Sequence, residues 1–284
     1  MATEQSSRRR TTIRRPTGRN GSTRPAVPAL LPMGVHVESI VVAIPARNER
    51  ALIERALASI DAAVVRTSRR AVIAVAADTC LDDTAAVVRV ARSSLATPVV
   101  VVEGRWRAAG GARAAAVAAA LEVFRPADLS TIWIANTDAD CVVPSTWLQI
   151  HLDHAAAGAH AVAGVVDLDP ATTDPELLAQ FRATYGVHGM SHTHVHGANF
   201  GVRADAYERV GGWNSHAVVG EDHELLRRLV AAELAVHHVT ASSVVTSSRT
   251  TGRVPAGFAG RLARLVTPQR GRQRSRFLRT MAAS

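Results

Sequence analysis

TIWIANTDADCV, residues 131–142, joins a short apolar run to two acidic residues. Residues 131–137 have the length and apolar content of a buried strand. Asp138 and Asp140 follow at once. In extended backbone, residues i and i+2 point to the same side. Two carboxylates therefore project together from the strand's end. Hard divalent cations such as Mg²⁺ or Mn²⁺ take carboxylate oxygens, and phosphate oxygens beside them. A solvated acidic turn is the blander reading of the same residues.

Four more apolar runs share that length: SIVVAIP (39–45), AVIAVA (71–76), PVVVVE (98–103) and AHAVAGVV (159–166). Helical patterns separate them. Residues 49–65 place Leu52, Ala56, Leu57 and Ile60 on one face. Asp83–Ala91 is a helix with Asp82 as its N-cap. Ala108–Phe124 is a long Ala-rich helix, and Ser145 caps another that runs to about Ala157. Strand–helix alternation implies an α/β fold, a Rossmann-like, mostly parallel sheet with helices on both faces. Ligands of such sheets bind beyond the C-terminal strand ends. The loops after Ala43, Ala76, Val102 and Thr137 should therefore meet in one crevice. Beyond Val166 the rhythm changes. A helix is expected over Pro175–Tyr185, then a His- and Gly-rich stretch (186–201) and a short helix over Ala204–Val210. A helix over Glu221–Glu233 and a last strand, AVHHV (235–239), close the pattern. Residues 1–37 read as a disordered basic tail, 38–240 as the folded domain, and 241–284 as a partly irregular basic extension.

Composition narrows the function. The 284 residues are 47% hydrophobic, enough for a sizeable core, but only 4% aromatic. All 33 basic residues are Arg, and the net charge is +9. The excess sits at the ends: seven Arg and one acid in 1–37, nine Arg and no acid in 239–284. The remainder is net −6. A domain that reads nucleic acid would be basic in its folded part. Basic ends suit an anionic membrane surface instead. Cys80 and Cys141 form no CxxC pair, which argues against a zinc site and for reduced thiols. No apolar run reaches the roughly 20 residues of a membrane span, and no h-region follows the N-terminal Arg residues. The expected location is the cytoplasm, with peripheral contact at the inner face of the membrane.

Further residues carry chemistry. Glu221 and Asp222 open the helix of GGWNSHAVVGEDHELLRRL (211–229). They read either as acids placed against the helix dipole or as a site where Asp222 removes a proton from a hydroxyl. Asp78 follows the second strand and either caps a turn or bonds a nucleobase edge. IPARNER (44–50) is the first strand-to-helix turn. Gly110 and Gly111 let backbone approach a ligand closely, and Arg113 is the cation expected near phosphate.

Together these segments resemble the family 2 glycosyltransferases of the GT-A fold. The resemblance spans about residues 38–240, and the motifs stand in the family's order. IPARNE, with Pro45, Ala46, Arg47 and Glu49, matches the nucleotide-binding first turn. Asp78 matches the Asp that contacts uracil in members using uridine-diphosphate donors. Gly110 and Arg113 lie on the helix matching the one after the third strand. Asp138-Ala139-Asp140 matches the DxD metal motif. GANFGVRADAYERVGGW (197–213) matches the acceptor-side segment, with His196 just before it and with Gly197, Asn199, Gly212 and Trp213 within it. Gly220-Glu221-Asp222 matches the motif whose Asp is the base in inverting members. The resemblance implies a metal-dependent transferase (Mg²⁺ or Mn²⁺) that moves a sugar from a UDP- or GDP-type donor to a hydroxyl acceptor. It departs at Ala77-Asp78-Thr79-Cys80, where the family has an acidic pair with Gly and Ser, so a guanosine or other donor stands beside uridine. A retaining transferase on the same fold, a nucleotidyltransferase and a non-catalytic nucleotide-binding protein are the rivals. PARNER lacks the Gly-rich loop of a nucleotidyltransferase.

In HGMSHTHVHGAN (188–199), His192, His194 and His196 share one side of an extended backbone. No catalytic Glu at matching spacing supports zinc, and an acceptor-binding or lid loop is the preferred reading. SSRTTGR (247–253) reads equally as a phosphate-closing segment or a solvated tail.

Overall fold

The computed structural model describes residues 36–187, 189, 192–252 and 257–266. Most of the basic tail read over 1–37 lies outside the described residues. So do His188 and residues 253–256 and 267–284 of the C-terminal extension.

Seven strands form one sheet. They are β1 (Ser39–Ala46), β2 (Arg70–Asp78), β3 (Val99–Gly104), β4 (Ile132–Asn136), β5 (Ala161–Leu168), β6 (Phe200–Arg203) and β7 (Val236–Thr246). Their spatial order is β3-β2-β1-β4-β6-β5-β7. Only β6 runs antiparallel to its neighbours. The other adjacent pairs are parallel, as the strand–helix alternation requires. The helices are α1 (Ile53–Thr67), α2 (Thr84–Ala91), α3 (Ala109–Val123), α4 (Trp147–Ala156), α5 (Pro175–Thr184), α6 (Ala204–Arg209), α7 (Glu221–Ala231) and α8 (Phe258–Val266).

Both faces of the sheet are covered. Ile40, Val42 and Ile44 of β1 pack in one core with residues of α1, α4, α5 and α8. Val41 and Ala43, on the opposite face, pack with residues of α3, α6 and α7. That alternation is the pleat of a strand buried on both sides. In α3 the buried positions include Ala112, Ala116 and Ala120, side chains small enough to let the helix lie close on β1 and β2. Among the described residues, no helix is long and apolar enough to cross a membrane.

Several details differ from the sequence reading, which included neither β6 nor α8. The helix expected from residue 49 starts at Ile53, because Asn48 takes a positive φ of 53° and Glu49–Leu52 form a turn. Thr146 rather than Ser145 precedes α4, with no side-chain cap. The sheet also continues past residue 240, where the sequence reading ended the domain. Gly164 of β5 pairs with Val239, but Val165 pairs with Ser243. Thr240–Ser242 therefore bulge out, and β7 resumes to Thr246.

Asn199 fills that irregularity. Its Nδ2 donates to the carbonyls of Val165 and Ser242, both at 2.8 Å. Its Oδ1 accepts the indole N–H of Trp147 at 2.9 Å and lies 3.3 Å from His151 Nε2. Trp133 Nε1 donates to His151 Nδ1 at 3.2 Å, which leaves Nε2–H to donate to Asn199. The imidazole is neutral, and burial pulls His151 down to about 4. Gly164 is glycine because an added Cβ would lie 2.2 Å from Asn199 Nδ2. Replacing Asn199 by Ala strands two buried carbonyls and the Trp147 N–H. We expect Asn199→Ala to cost about 3 kcal/mol or more in urea unfolding. A loss below about 1 kcal/mol would show that the bulge does not need this side chain.

Candidate active site

Four parallel strands, β1 to β4, end on the same edge of the sheet, and their loops meet there as the alternation predicts. They border a cavity of about 710 Å³. Pro45 and Ala46 end β1, Arg47 and Glu49 come from the turn after it, and Asp78 ends β2. Arg107 and Arg113 come from the segment after β3, and Asp138, Ala139 and Asp140 from the one after β4. The opposite wall holds His196, Gly197, Glu221 and Asp222.

Asp138 and Asp140 project together, as the i, i+2 spacing requires. With Cys141 they form a group whose ligand atoms lie within 4.8 Å of one another. Burial pushes the Cys141 thiol well above its ordinary range, so it stays protonated and only the carboxylates remain as hard donors. Each carboxylate meets its own arginine. Arg113 Nη2 is 2.5 Å from Asp138 Oδ1. Arg249 Nη2 is 2.9 Å from Asp140 Oδ2, and Ser247 Oγ donates to the same oxygen at 2.5 Å. Asp138 keeps 36% of its side chain exposed against 9% for Asp140, so Asp138 is the more open of the two. Burial, and then the neighbouring Asp138, raise Asp140 above the usual carboxylate range; Arg249 and Ser247 oppose them.

Arg113 is almost fully buried and holds the two walls together. It faces Glu221 at 3.5 Å and donates to the Gly197 carbonyl at 3.0 Å. Its guanidinium lies 5.5 Å from the Trp213 ring centre. Trp213 is fixed in turn by its N–H bond to Asn136 Oδ1, 3.2 Å. Burial alone would pull Arg113 down. Asp138, Glu221 and Asp222 outweigh it and hold the guanidinium above its ordinary value. Burial pushes the Glu221 carboxyl up, and Arg113 moderates the rise. Arg249 makes a second bridge, to Glu49 at 2.7 and 3.0 Å.

Asp222 stands at the start of α7 and lines the cavity. Its Oδ2 accepts the Gly197 N–H at 3.0 Å. His196 lies beside it. Val166 N–H donates to the Tyr185 hydroxyl, which lies 2.8 Å from His196 Nε2 and can donate its proton there. Burial pulls His196 down to about 4 against the opposing effect of Asp222, so the ring is neutral.

Not every residue singled out from the sequence lines the cavity. Asn199 is fully buried in the sheet irregularity, Trp213 lies beneath Arg113, and the Gly212 carbonyl accepts Arg228. These three support the wall rather than form it. Gly110 was expected to admit a ligand, but it admits the chain itself: a Cβ there would lie 2.0 Å from the Asn214 carbonyl oxygen. His192, His194 and His196 do share a side, as neighbouring rings about 6 Å apart. Tyr185 stacks on His194 at 4.1 Å. Among the described residues these histidines form no metal-binding group. The sequence reading left Ser247 and Arg249 undecided and did not single out Tyr185. The apolar pair Val244-Val245 before Ser247 was the available signal that the strand continues.

The profile of one family, "Glycosyl transferase family 2", matches residues 41–211. The chain belongs to this family. The match runs from β1 to the turn after α6, so it includes the Asp138–Asp140 pair and stops short of Asp222 and Arg249. A search of curated proteins finds no match. Solved structures share the fold. A mannosyltransferase, PcManGT from Pyrobaculum calidifontis, in complex with GDP-Man and Mn²⁺, is 19% identical with a TM-score of 0.54, over 76% of this chain and 59% of that one. S. aureus TarS 1–349 in complex with UDP-GlcNAc is 13% identical with a TM-score of 0.55, over 78% and 62%. The chain thus spans about 60% of the length of these two. The architecture is that of the GT-A glycosyltransferases.

Two outcomes follow from the geometry. Gly110→Ala should lower the ligand-free thermal midpoint, since the Asn214 backbone must shift at a cost of about 1–3 kcal/mol. A glycine kept only for a ligand would instead let Ala stabilise the free helix by up to about 1 kcal/mol. The His196 ring resonances should not move between pH 8 and 5.5. Its folded value lies below the ordinary 6.5, so the unfolded chain takes the proton first. The stability it contributes is present above about 6.5 and is lost as pH falls towards about 4. A midpoint near 6.5 in NMR would contradict its burial against Tyr185.

Proposed function

We propose that the chain is a metal-dependent, inverting glycosyltransferase that moves a sugar from a nucleoside-diphosphate sugar to an acceptor hydroxyl. One observation carries this reading. Paired carboxylates at the end of β4 and a carboxylate at the start of α7 border one cavity. Family membership and the fold shared with nucleotide-sugar-bound structures support it.

Asp138 and Asp140 would hold the cation. Their oxygens are hard donors within 4.8 Å of one another, which fits Mg²⁺ or Mn²⁺. When bound there, the cation supplies Lewis-acid stabilisation of the departing diphosphate. The rest falls to the protein. Asp78, Arg47 and Glu49 border the end of the cavity assigned to the nucleoside. The Asp78 carboxylate already accepts the Arg107 N–H at 2.9 Å, so its position is fixed before a ligand arrives. Asp222 takes the proton of the acceptor hydroxyl through an oxygen held by the Gly197 N–H. The oxygen then bonds to the anomeric carbon as the bond to the diphosphate breaks on the opposite face. The electron pair leaves with the nucleoside diphosphate, and the anomeric configuration inverts. Arg113 stands between the two carboxylate sets and keeps Glu221 and Asp138 matched while charge moves. The donor base (UDP or GDP type) and the acceptor are part of this proposal, as is peripheral contact at an anionic membrane.

Asp140→Ala and Asp222→Asn should each lower turnover by about 10²–10⁴-fold with the fold intact by circular dichroism. Proton NMR of the product should show the anomeric configuration opposite to the donor's. Near-full activity in Asp222→Asn, or a retained configuration, would remove Asp222 as the base.

A further inference from the structure

The cavity's charges sort by partner. Arg249 answers Glu49 and Asp140, and Arg113 answers Asp138 and Glu221. Arg47 and Arg107 flank the ends of β1 and β2, on the Asp78 side. That leaves Arg261 and Arg264 of α8. Both line the cavity, and neither has a carboxylate within ion-pair distance among the described residues.

The structure fixes α8 beside Asp222. Leu262 is fully buried in the core under α5. Phe258 sets its edge against Phe181 at 5.9 Å and against His196 at 6.2 Å. Arg261 is held too: its guanidinium lies 5.8 Å from the centre of the Tyr185 ring, and Nη2 donates to the Thr184 carbonyl at 3.5 Å. Asp222 and Arg261 both act on His196, in opposite directions, so the three share one field. A hydroxyl placed at Asp222 leaves the remainder of its molecule facing this helix. Two guanidiniums without counter-charge would face a neutral acceptor with nothing to bind. A phosphate group matches their planar forks and supplies the missing charge.

We propose that Arg261 and Arg264 form an acceptor subsite for a phosphate ester, so that the acceptor carries a phosphate close to the hydroxyl that reacts. This rests on the transferase reading only for the word acceptor; the anion subsite is defined by the helix and its arginines. The phosphate can belong to a soluble ester or to a lipid headgroup, and one set of measurements separates them.

Calorimetry on the full chain at low salt would titrate glycerol 3-phosphate, with glycerol as its neutral match. The phosphate ester should bind and glycerol should not. The double substitution Arg261→Gln/Arg264→Gln should weaken binding at least 10-fold, and Arg261→Lys/Arg264→Lys, which keeps the charge without the fork, should fall between the two. Sedimentation with phosphatidic acid vesicles gives the source. Capture that the Arg261→Gln/Arg264→Gln pair abolishes assigns the subsite to a lipid headgroup, and no capture, or capture that the pair leaves unchanged, assigns it to a soluble ester. Equal binding of glycerol and glycerol 3-phosphate, or binding unchanged by the glutamine pair, overturns the proposal. Release of nucleoside diphosphate from UDP- and GDP-sugars is scored separately. If no donor is turned over, the transferase reading falls while the calorimetric result stands.

Discussion

The guanidinium of Arg113 is the constraint on which the site depends. It is buried, so its charge has lost most of its water. An unpaired buried cation would cost several kcal/mol. The fold answers with Asp138 from the end of β4, Glu221 from α7, the Gly197 carbonyl from the turn before β6, and the Trp213 ring. Asp138 lies far along the chain from the other three, which fall within residues 197–221. Holding them all on one planar group leaves little freedom in how the walls of the cavity face each other. A buried ion pair of this kind adds little net stability. What it supplies here is position.

Arg249 repeats the arrangement in a more open setting. It binds Glu49 through both terminal nitrogens and reaches Asp140 with one of them. Its place depends on the bulge in β7, because only a strand that resumes after Ser242 carries Ser247 and Arg249 back to the site. Asn199 stitches that bulge to β5. A residue matched to the acceptor-side segment therefore acts on the other side of the cavity, through the strand it stabilises.

This explains what was readable in the sequence and what was not. β1, β2, β4 and β5 show as apolar runs because burial on both faces removes polar residues from them, and β3, half-buried at the sheet's edge, shows by its run of four Val. Of the helices between them, α1 shows through its 3.6 period and α3 through its run of Ala. Asp138 and Asp140 show because two residues of spacing is a local quantity. β6 did not show: four residues, one of them Gly, carry too little pattern, and the pairing with β4 and β5 that makes them a strand is set elsewhere in the chain. Pairing at long range is equally hidden. Arg113 meets Glu221 across 108 residues, and Arg249 meets Glu49 across 200. Gly110 shows the other kind of miss. A glycine at a helix start near phosphate-binding residues reads as room for a ligand, yet the room is taken by the chain's own 214–217 loop.

The charge pattern also bears on the order in which ligands enter on the proposed reading. Asp138, Asp140, Glu49 and Glu221 are each matched to a guanidinium before anything binds. Four carboxylates share two guanidiniums, so the set keeps a formal charge of −2. On the proposed reading a divalent cation would offset that charge, whereas a diphosphate alone would add to it. The charge thus favours a cation that precedes or accompanies the diphosphate, with the two arginines left to answer the phosphate oxygens. The two arginines differ in freedom, with 4% of one side chain exposed and 37% of the other. Arg113 is held from below by Trp213 and cannot leave, whereas Arg249, 37% exposed, can turn from Asp140 without losing Glu49. The fixed arginine sets the geometry of the site, and the half-exposed one can follow the charge that enters it.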